Sequence, residues 1–292
     1  MKTRIWKRIL FGILIAISLC SATYLLYDRG RPAPIPTKQK LFEGVTYRRV
    51  VRYLPQPMIA HVLMLDTKVQ KFKFLVTPRD NKDGDPLNAR TTSQFLDELD
   101  VQIAINGDGF TPWWSRSPVD YYPHIGDPVV PNGLSASRGD VYSFDDENDI
   151  GVEPTLFITR QSDLSFNNPP RNIFSAISGD RMLVLKGEVV EDLNDTRREP
   201  RTAIGISENG RYLILVVVDG RQPFYSDGAT FVELAELLIK FDVYYGMNLD
   251  GGGSSTMVIE EDGQPVILNS PIDNYIPGRE RPVANHFGVY IP

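Results

Sequence analysis

Three rhythms of apolar and polar positions divide this chain. The first is unbroken: residues 9–27 are 19 consecutive uncharged positions, ILFGILIAISLCSATYLLY. As a helix they span about 28 Å, close to the roughly 30 Å hydrocarbon core of a bilayer. Lys2, Arg4, Lys7 and Arg8 precede the run, which predicts a cytoplasmic N-terminus and an exported remainder. An uncleaved anchor over residues 1–30 is favoured over two alternatives. A signal peptide cut after Ala22 leaves the apolar Tyr24-Leu-Leu-Tyr27 unexplained, and Ile17-Ser-Leu-Cys20 is a poor lipidation site. Residues 31–40, with three prolines and three basic groups, read as an extended linker, taken to residue 44.

The second rhythm is short and β-like. Segments 45–53, 58–65 and 71–76 are rich in β-branched and aromatic residues, and similar runs return at 154–159, 173–177 and 182–190. Residues 111–150 read as mostly loop. Residues 212–218, YLILVVV, are apolar throughout, as a strand buried on both faces should be. The third rhythm is helical. Residues 92–99 place Phe95, Leu96 and Leu99 on one face with Thr92 or Ser93 capping, and Thr230-Phe-Val-Glu233 is a capping box opening a helix over 231–241. Strand 212–218, that helix and strand 243–247 form a strand–helix–strand unit, which predicts parallel neighbours. Asp219 and Asp250 then lie at carboxyl ends of adjacent or near-adjacent strands, where open sheets place ligands. The expected class is α+β: a single domain over 45–292, with a mixed β-sheet core and flanking helices.

Charge and cysteine content narrow the chemistry. Beyond residue 30 the chain holds 26 basic and 36 acidic residues, a net of −10. This argues against nucleic acid as a partner and leaves any anionic ligand to a local arginine cluster. Cys20, inside the apolar run, is the only cysteine, so the exported part has no disulfide and no thiolate. Export without disulfides fits a bacterial protein. His61, in a strand, reads as a core residue; His124 lies in a loop and His286 in a strand, with no zinc-type spacing. No cofactor is expected. Residues 80–85, DNKDGD, lack the ligand pattern of an EF-hand and read as a solvated turn, structural calcium being the lesser alternative.

The strongest chemical signal is Asn248-Leu-Asp-Gly-Gly-Gly-Ser-Ser255. Gly251, Gly252 and Gly253 sacrifice packing directly after a buried strand, which suits a sharp turn whose N–H groups a ligand can approach. Asn248 and Asp250 before them, and Ser254 and Ser255 after, supply polar side chains. No long helix follows and no Gly-Lys-Ser/Thr is present, so this is not a nucleotide fingerprint.

This block resembles the signature of the phosphodiester glycosidase family. Collinear, individually weaker matches are Thr92-Ser-Gln-Phe95, Ala104-Ile-Asn-Gly107, Arg201-Thr-Ala-Ile-Gly205, Val218-Asp-Gly-Arg221, Ser226-Asp-Gly-Ala-Thr230 and Arg281-Pro-Val-Ala-Asn285. The resemblance covers roughly residues 57–291. Where the family reads Asn-Gly-Gly-Phe, this chain has Asn106-Gly-Asp-Gly-Phe110, adding Asp108.

The resemblance implies an extracytoplasmic hydrolase of a sugar–phosphodiester bond in envelope or exopolysaccharide material. Such a bond releases a phosphate, so the site needs cations for the departing group and a carboxylate for water or the anomeric carbon. Arg201, Arg221 and Arg281 are candidates for the first role, and Asp250 or Asp219 for the second. Asn106, Asp108, Asn248, Asn285, the glycines and Ser254–Ser255 are candidate substrate contacts, and Trp113, Trp114, Tyr121 and Tyr122 could stack on a sugar. A transglycosylase or polysaccharide-assembly factor would use the same groups; a non-catalytic glycan-binding module is the third reading.

The charge asymmetry around residues 9–27 generates a topological test. Protease added to intact spheroplasts should digest the domain; survival of the full-length band until lysis would reverse the orientation.

Overall fold

The computed structural model describes residues 2–144 and 153–292. The chain forms two compact units, Met1–Ala33 and Pro34–Pro292. The first is a single helix, α1 (Lys2–Gly30), whose segment Trp6–Thr23 is long and apolar enough to cross a membrane. The second unit begins inside the expected linker. Thr37–Phe42 is a strand paired antiparallel with Val45–Arg52, and its polar residues Lys38, Gln39 and Lys40 hid it. An exposed edge strand of this kind carries no apolar alternation to read.

That strand opens an eight-stranded sheet. Across it lie Thr37–Phe42, Val45–Arg52, Met58–Asp66, Tyr212–Val218, Arg201–Ser207, Val243–Asn248, Arg181–Leu185 and Glu188–Val189. Each neighbouring pair is antiparallel. The strand–helix–strand unit exists, with α3 (Phe231–Ile239) between its strands, but those strands are not neighbours. Arg201–Ser207 is inserted between them, antiparallel to both, which corrects the expectation of parallel neighbours. The carboxyl ends of Tyr212–Val218 and Val243–Asn248 nevertheless share one sheet edge.

Burial explains the unbroken apolar run. Leu213, Leu215 and Val217 enter the core between the large sheet and the rest of the domain, while Ile214, Val216 and Val218 pack under α3. Each such side chain contributes about 1.5–3 kcal/mol of burial. The capping box of α3 is present, Thr230 accepting from the Glu233 N–H and Glu233 reaching back to Thr230. Glu233 also pairs with Arg52 and Arg198, tying the helix to the sheet edge.

Across the core lies a five-stranded sheet containing Lys73–Val76, Ile103–Asn106, Met257–Glu261, Gln264–Ile267 and His286–Tyr290. Its outer face is covered by α2 (Thr92–Leu99) through Phe95 and Leu96. The cap of α2 is Thr91, with Gln94 completing a box, rather than Thr92 or Ser93. The stretch expected as loop carries short strands, among them Trp114–Ser117, Pro128–Pro131, Ser135–Ser137 and Asp140–Ser143. Segments of three or four residues are too brief to show a period. Residues 145–150 of that stretch lie outside those described.

Candidate active site

One edge of the large sheet carries the chemistry. Register places Arg201 opposite Val218, and Asn248 opposite both Ala203 and Arg181. The segments 180–181, 194–201, 219–221 and 248–252 therefore converge there, around a cavity of about 840 Å³. Of the residues singled out in the sequence, Asp108, Arg201, Arg221, Asn248, Asp250, Gly251, Gly252 and Arg281 line it. Trp113 lines it too, its ring 4.9 Å from the Arg281 guanidinium.

The loop bearing Asp250 is held from behind. Asn106, fully buried, donates from Nδ2 to the Asp250 carbonyl at 2.8 Å, and its Oδ1 accepts from Thr202 Oγ1 and the Thr256 N–H. The Asp250 N–H donates to the Gly107 carbonyl. Asn106 is thus a brace for the loop and does not line the cavity. Asn285 is likewise internal, accepting from the Asp108 N–H and donating to Ser135 Oγ.

Asp250 itself accepts from the Gly251 N–H at 2.8 Å and from Ser254 Oγ at 2.5 Å. Burial pushes its carboxyl above the ordinary range, while Ser254, Arg281 and the Gly251 N–H pull the other way. The residue is only partly buried and lines the cavity. Asp108, buried, accepts from the Gly109 and Gly133 N–H groups. Its carboxyl lies well above the usual range, first through burial and then through the charge of Glu153.

The three glycines do something other than expected. The Gly251 and Gly252 N–H groups are already bonded, to Asp250 Oδ1 and the Pro200 carbonyl. A Cβ at Gly251 would meet that carbonyl at 2.7 Å, and one at Gly252, where φ is +62°, would meet Arg221 Nη2 at 2.9 Å. A Cβ at Gly253 would run into the Arg281 guanidinium and the Asp273 carboxylate. The glycines therefore admit neighbouring backbone and two arginines to the loop rather than offering N–H groups to a ligand. Ser254 lies beneath the surface, bridging Asp250 and Arg281, and Ser255 is buried.

The arginines differ in their partners. Arg221 pairs with Glu199 at 2.5 Å and Arg281 with Asp273 at 2.8 Å. Arg201 donates only to the Ala229 and Arg197 carbonyls and makes no ion pair among the described residues. Its guanidinium lies 3.9 Å from the centre of the Phe231 ring, against which Arg181 also packs, at 4.3 Å. Burial lowers its pKa to about 10, so it remains a cation at neutral pH. Glu199 and Asp180 act on it through their charge, but neither pairs with it directly, and a buried cation on a cavity wall without a direct ion pair can take an anion. Asn248 donates to Asp180 Oδ1 at 2.7 Å, while its own buried Oδ1 has no hydrogen-bond partner among the described residues.

Asp219 is not brought to the cavity. Its carboxylate faces inward, Oδ2 2.9 Å from His61 Nε2 and Oδ1 accepting from the Ser270 N–H at 2.7 Å and from Asn269 Nδ2. His61 continues to the Tyr47 hydroxyl, and Tyr47 to Arg49. Asp219 thus sits buried at the base of the loop leading to Arg221 and does not line the cavity. Sequence reasoning missed Glu153, Asp180, Glu199, Arg181 and Phe231 as cavity-lining groups. Glu153, Asp180 and Glu199 sit in irregular connections with no motif; the strand start at Arg181 and the helix start at Phe231 were visible, but not their meeting.

His61 is a core residue as read, His286 is also buried and stacks on Phe95 at 4.6 Å, and the loop residue His124 pairs with Asp127 and does not line the cavity. Trp114 stacks on Tyr122, and Tyr121 packs on His124, within their own hairpin region. At residues 80–85 the Asp80 carboxylate is taken by Arg90 and the Asn88 N–H. Among the described residues no group of three or more His, Cys, Asp or Glu could hold a metal ion.

Residues 99–290 match the family model for phosphodiester glycosidase. The match takes in every quoted motif from Ala104 onward and leaves Thr92–Phe95 outside. A 59-residue stretch is 46% identical to N-acetylglucosamine-1-phosphodiester alpha-N-acetylglucosaminidase of Bos taurus and, equally, of Homo sapiens. That stretch is 20% of this chain and only 11% of each relative. The fold is similar to the catalytic domain of the zebrafish enzyme of that name, auto-inhibited by its pro-peptide, with a TM-score of 0.60 at 19% identity, covering 89% of this chain and 85% of that one. A Synechocystis protein gives 0.58 at 14%, covering 89% and 64% of the two chains. A Burkholderia pseudomallei protein described as exported gives 0.55 at 14%, covering 80% and 74%.

The inward orientation of Asp219 makes a distinguishing forecast. Asp219→Asn removes the charge from a buried, hydrogen-bonded group and should cost roughly 1–3 kcal/mol of stability, read as a lower denaturation midpoint. Turnover per folded molecule should stay near that of the parent. Full stability with lost turnover would return Asp219 to the reacting groups.

Proposed function

The chain belongs to the phosphodiester glycosidase family, and on that premise we propose that its cavity hydrolyses a glycosyl phosphodiester. The observation that carries this reading is the pairing, on one cavity wall, of a buried arginine without an ion pair and a carboxylate raised by burial. Arg201 takes the phosphate, with Arg221 beside it. Asp250 faces the anomeric carbon, either activating water or attacking directly. The bond from anomeric carbon to phosphate oxygen breaks, its electron pair leaves with the phosphate, and the oxygen of water ends on the sugar. Because phosphate is a good leaving group, cationic stabilisation matters more here than strong acid assistance. Trp113, on the cavity wall, offers a stacking face for the sugar.

A cavity of about 840 Å³ lies toward the upper end of the roughly 300–1,000 Å³ of ligand clefts. It has room for groups on both sides of a diester, which also suits transfer to a sugar acceptor. The apolar helix and its basic flank support an anchored domain outside the cytoplasm, acting on envelope or exopolysaccharide material.

Turnover of synthetic glycosyl-1-phosphodiesters and of UDP-N-acetylglucosamine, followed by NMR, tests the reading. Free sugar and a phosphomonoester are expected. New glycosides would indicate transfer, and no consumption of any diester would contradict the proposal. Arg201→Ala should cut kcat/KM by about 10²–10³-fold, as for other charge-stabilising donors. Arg201→Lys should recover little, since an ammonium cannot reproduce a planar fork. Wild-type activity in the folded Ala variant would remove Arg201 from the phosphate.

A pH profile addresses Asp250. If it acts ionised, kcat/KM rises with pH through a value above the ordinary carboxylate range. Arg281 favours the ionised form, so Arg281→Gln should shift that limb to higher pH. An unmoved limb in a folded variant would uncouple Arg281 from the titrating group.

A further inference from the structure

The sheet edge that carries the cavity also carries the N-terminal entry of the domain. Thr37 pairs with Arg49 near the end of Val45–Arg52, whose Arg52 lies opposite Met58, and Ala60 lies opposite Val218. Pro34 is fastened to the same edge, its carbonyl accepting from the Tyr53 hydroxyl at 2.7 Å. Arg201 stands four strand positions from Thr37–Phe42, about 19 Å at the usual strand spacing. Only residues 31–33 separate α1 from Pro34, a tether that reaches at most about 14 Å. The chain that follows the apolar helix therefore enters the domain at the edge bearing the cavity.

Among its charged groups, that edge also exposes large apolar side chains. Leu54 is 81% exposed and Phe224 94% exposed, and Tyr275, on the cavity rim, is 75% exposed. Leu54 lies in the connection between Arg52 and Met58. Phe224 lies in the loop after Val218, which is bonded to that connection through the Asp227 N–H and the Pro57 carbonyl. Phe224 also has φ of +66°, a conformation unfavourable for a bulky side chain, and it gains no packing in return. Scattered exposed apolar residues need no explanation; two on bonded loops of the edge where the chain enters the domain do. The domain's net charge of −10 beyond residue 30 opposes adsorption driven by anionic lipid, so an apolar contact is the mode that fits.

We propose that this edge docks on the lipid bilayer through Leu54 and Phe224, and that the diester cleaved in the cavity carries a membrane-embedded lipid as its aglycone. The phosphate then sits at headgroup height, opposite Arg201, with the sugar reaching Asp250. The choice of bond rests on the phosphodiester reading above; the docking does not.

The test uses the full chain in phosphatidylcholine vesicles. In a Cys20→Ser background, Leu54→Cys, Phe224→Cys and Val69→Cys each carry an environment-sensitive fluorophore; Val69 is an exposed residue of the loop after Asp66, at the opposite edge. Brominated phosphatidylcholine should quench the labels at 54 and 224 at least about twofold and leave the label at 69 unchanged. Adding anionic lipid should not strengthen the effect. Equal behaviour at all three sites overturns the docking. For the substrate, Leu54→Asp/Phe224→Asp should lower kcat/KM about tenfold on a long-alkyl glycosyl phosphodiester in the vesicles and leave the soluble methyl ester unaffected. Equal loss on both, or none on either, overturns the lipid aglycone. If neither ester is cleaved by the parent chain, the phosphodiester reading fails together with the lipid aglycone, while the quenching still decides the docking.

Discussion

A side chain at residue 251, 252 or 253 would collide with the Pro200 carbonyl, the Arg221 guanidinium or the Arg281 guanidinium respectively. The site depends on that close approach. Because the loop has no Cβ atoms there, the strand start at Arg201, the loop after Asp219 and the segment around Arg281 can all close on one turn of chain. Asn106 then fixes the turn from beneath through the Asp250 carbonyl. The consequence is electrostatic. Cations and carboxylates that would otherwise be hydrated are drawn into one low-dielectric wall, where each governs its neighbours' charge.

The charges on that wall are not symmetrically matched. Glu199 holds Arg197 and Arg221, Asp180 holds Arg181, and Asp273 holds Arg279 and Arg281. Arg201 is left with backbone carbonyls and the Phe231 ring. An aromatic face and carbonyl dipoles tolerate a buried guanidinium without neutralising it, which is why the proposed phosphate contact falls to Arg201. The Asp219–His61–Tyr47 chain, by contrast, is closed upon itself and stabilises the edge from which the loops spring.

Much of this was legible in the sequence. The apolar run 212–218 is read correctly because both faces of a central strand are buried. The Thr230–Glu233 box marks α3 because capping is local chemistry. The Asp250 block stands out because three glycines after a strand bring no side chains to pack, although the close approach they allow could not be read from the chain. What escaped depends on distant residues. Arg201–Ser207 was not separable as a strand until its two neighbours were known, and Thr37–Phe42 is too polar to announce itself. Asp219 and Asp250 look equivalent along the chain, each following a buried strand. They differ only in what lies behind them, His61 and Ser270 for the one, the open cavity for the other. The meeting of Arg181 and Arg201 on Phe231 joins three separate elements and has no signature in any of them.

The central claim is that the Asp250 carboxylate reacts at the sugar. The most direct measurement is turnover of a glycosyl phosphodiester by Asp250→Asn, with and without external azide, alongside its melting temperature. The amide keeps the shape of the loop and removes the charge. The account predicts a folded protein that is inactive alone and regains consumption of the diester when azide is added, giving a glycosyl azide of single anomeric configuration. Turnover at the parent rate in the folded Asp250→Asn variant, without azide, would contradict it.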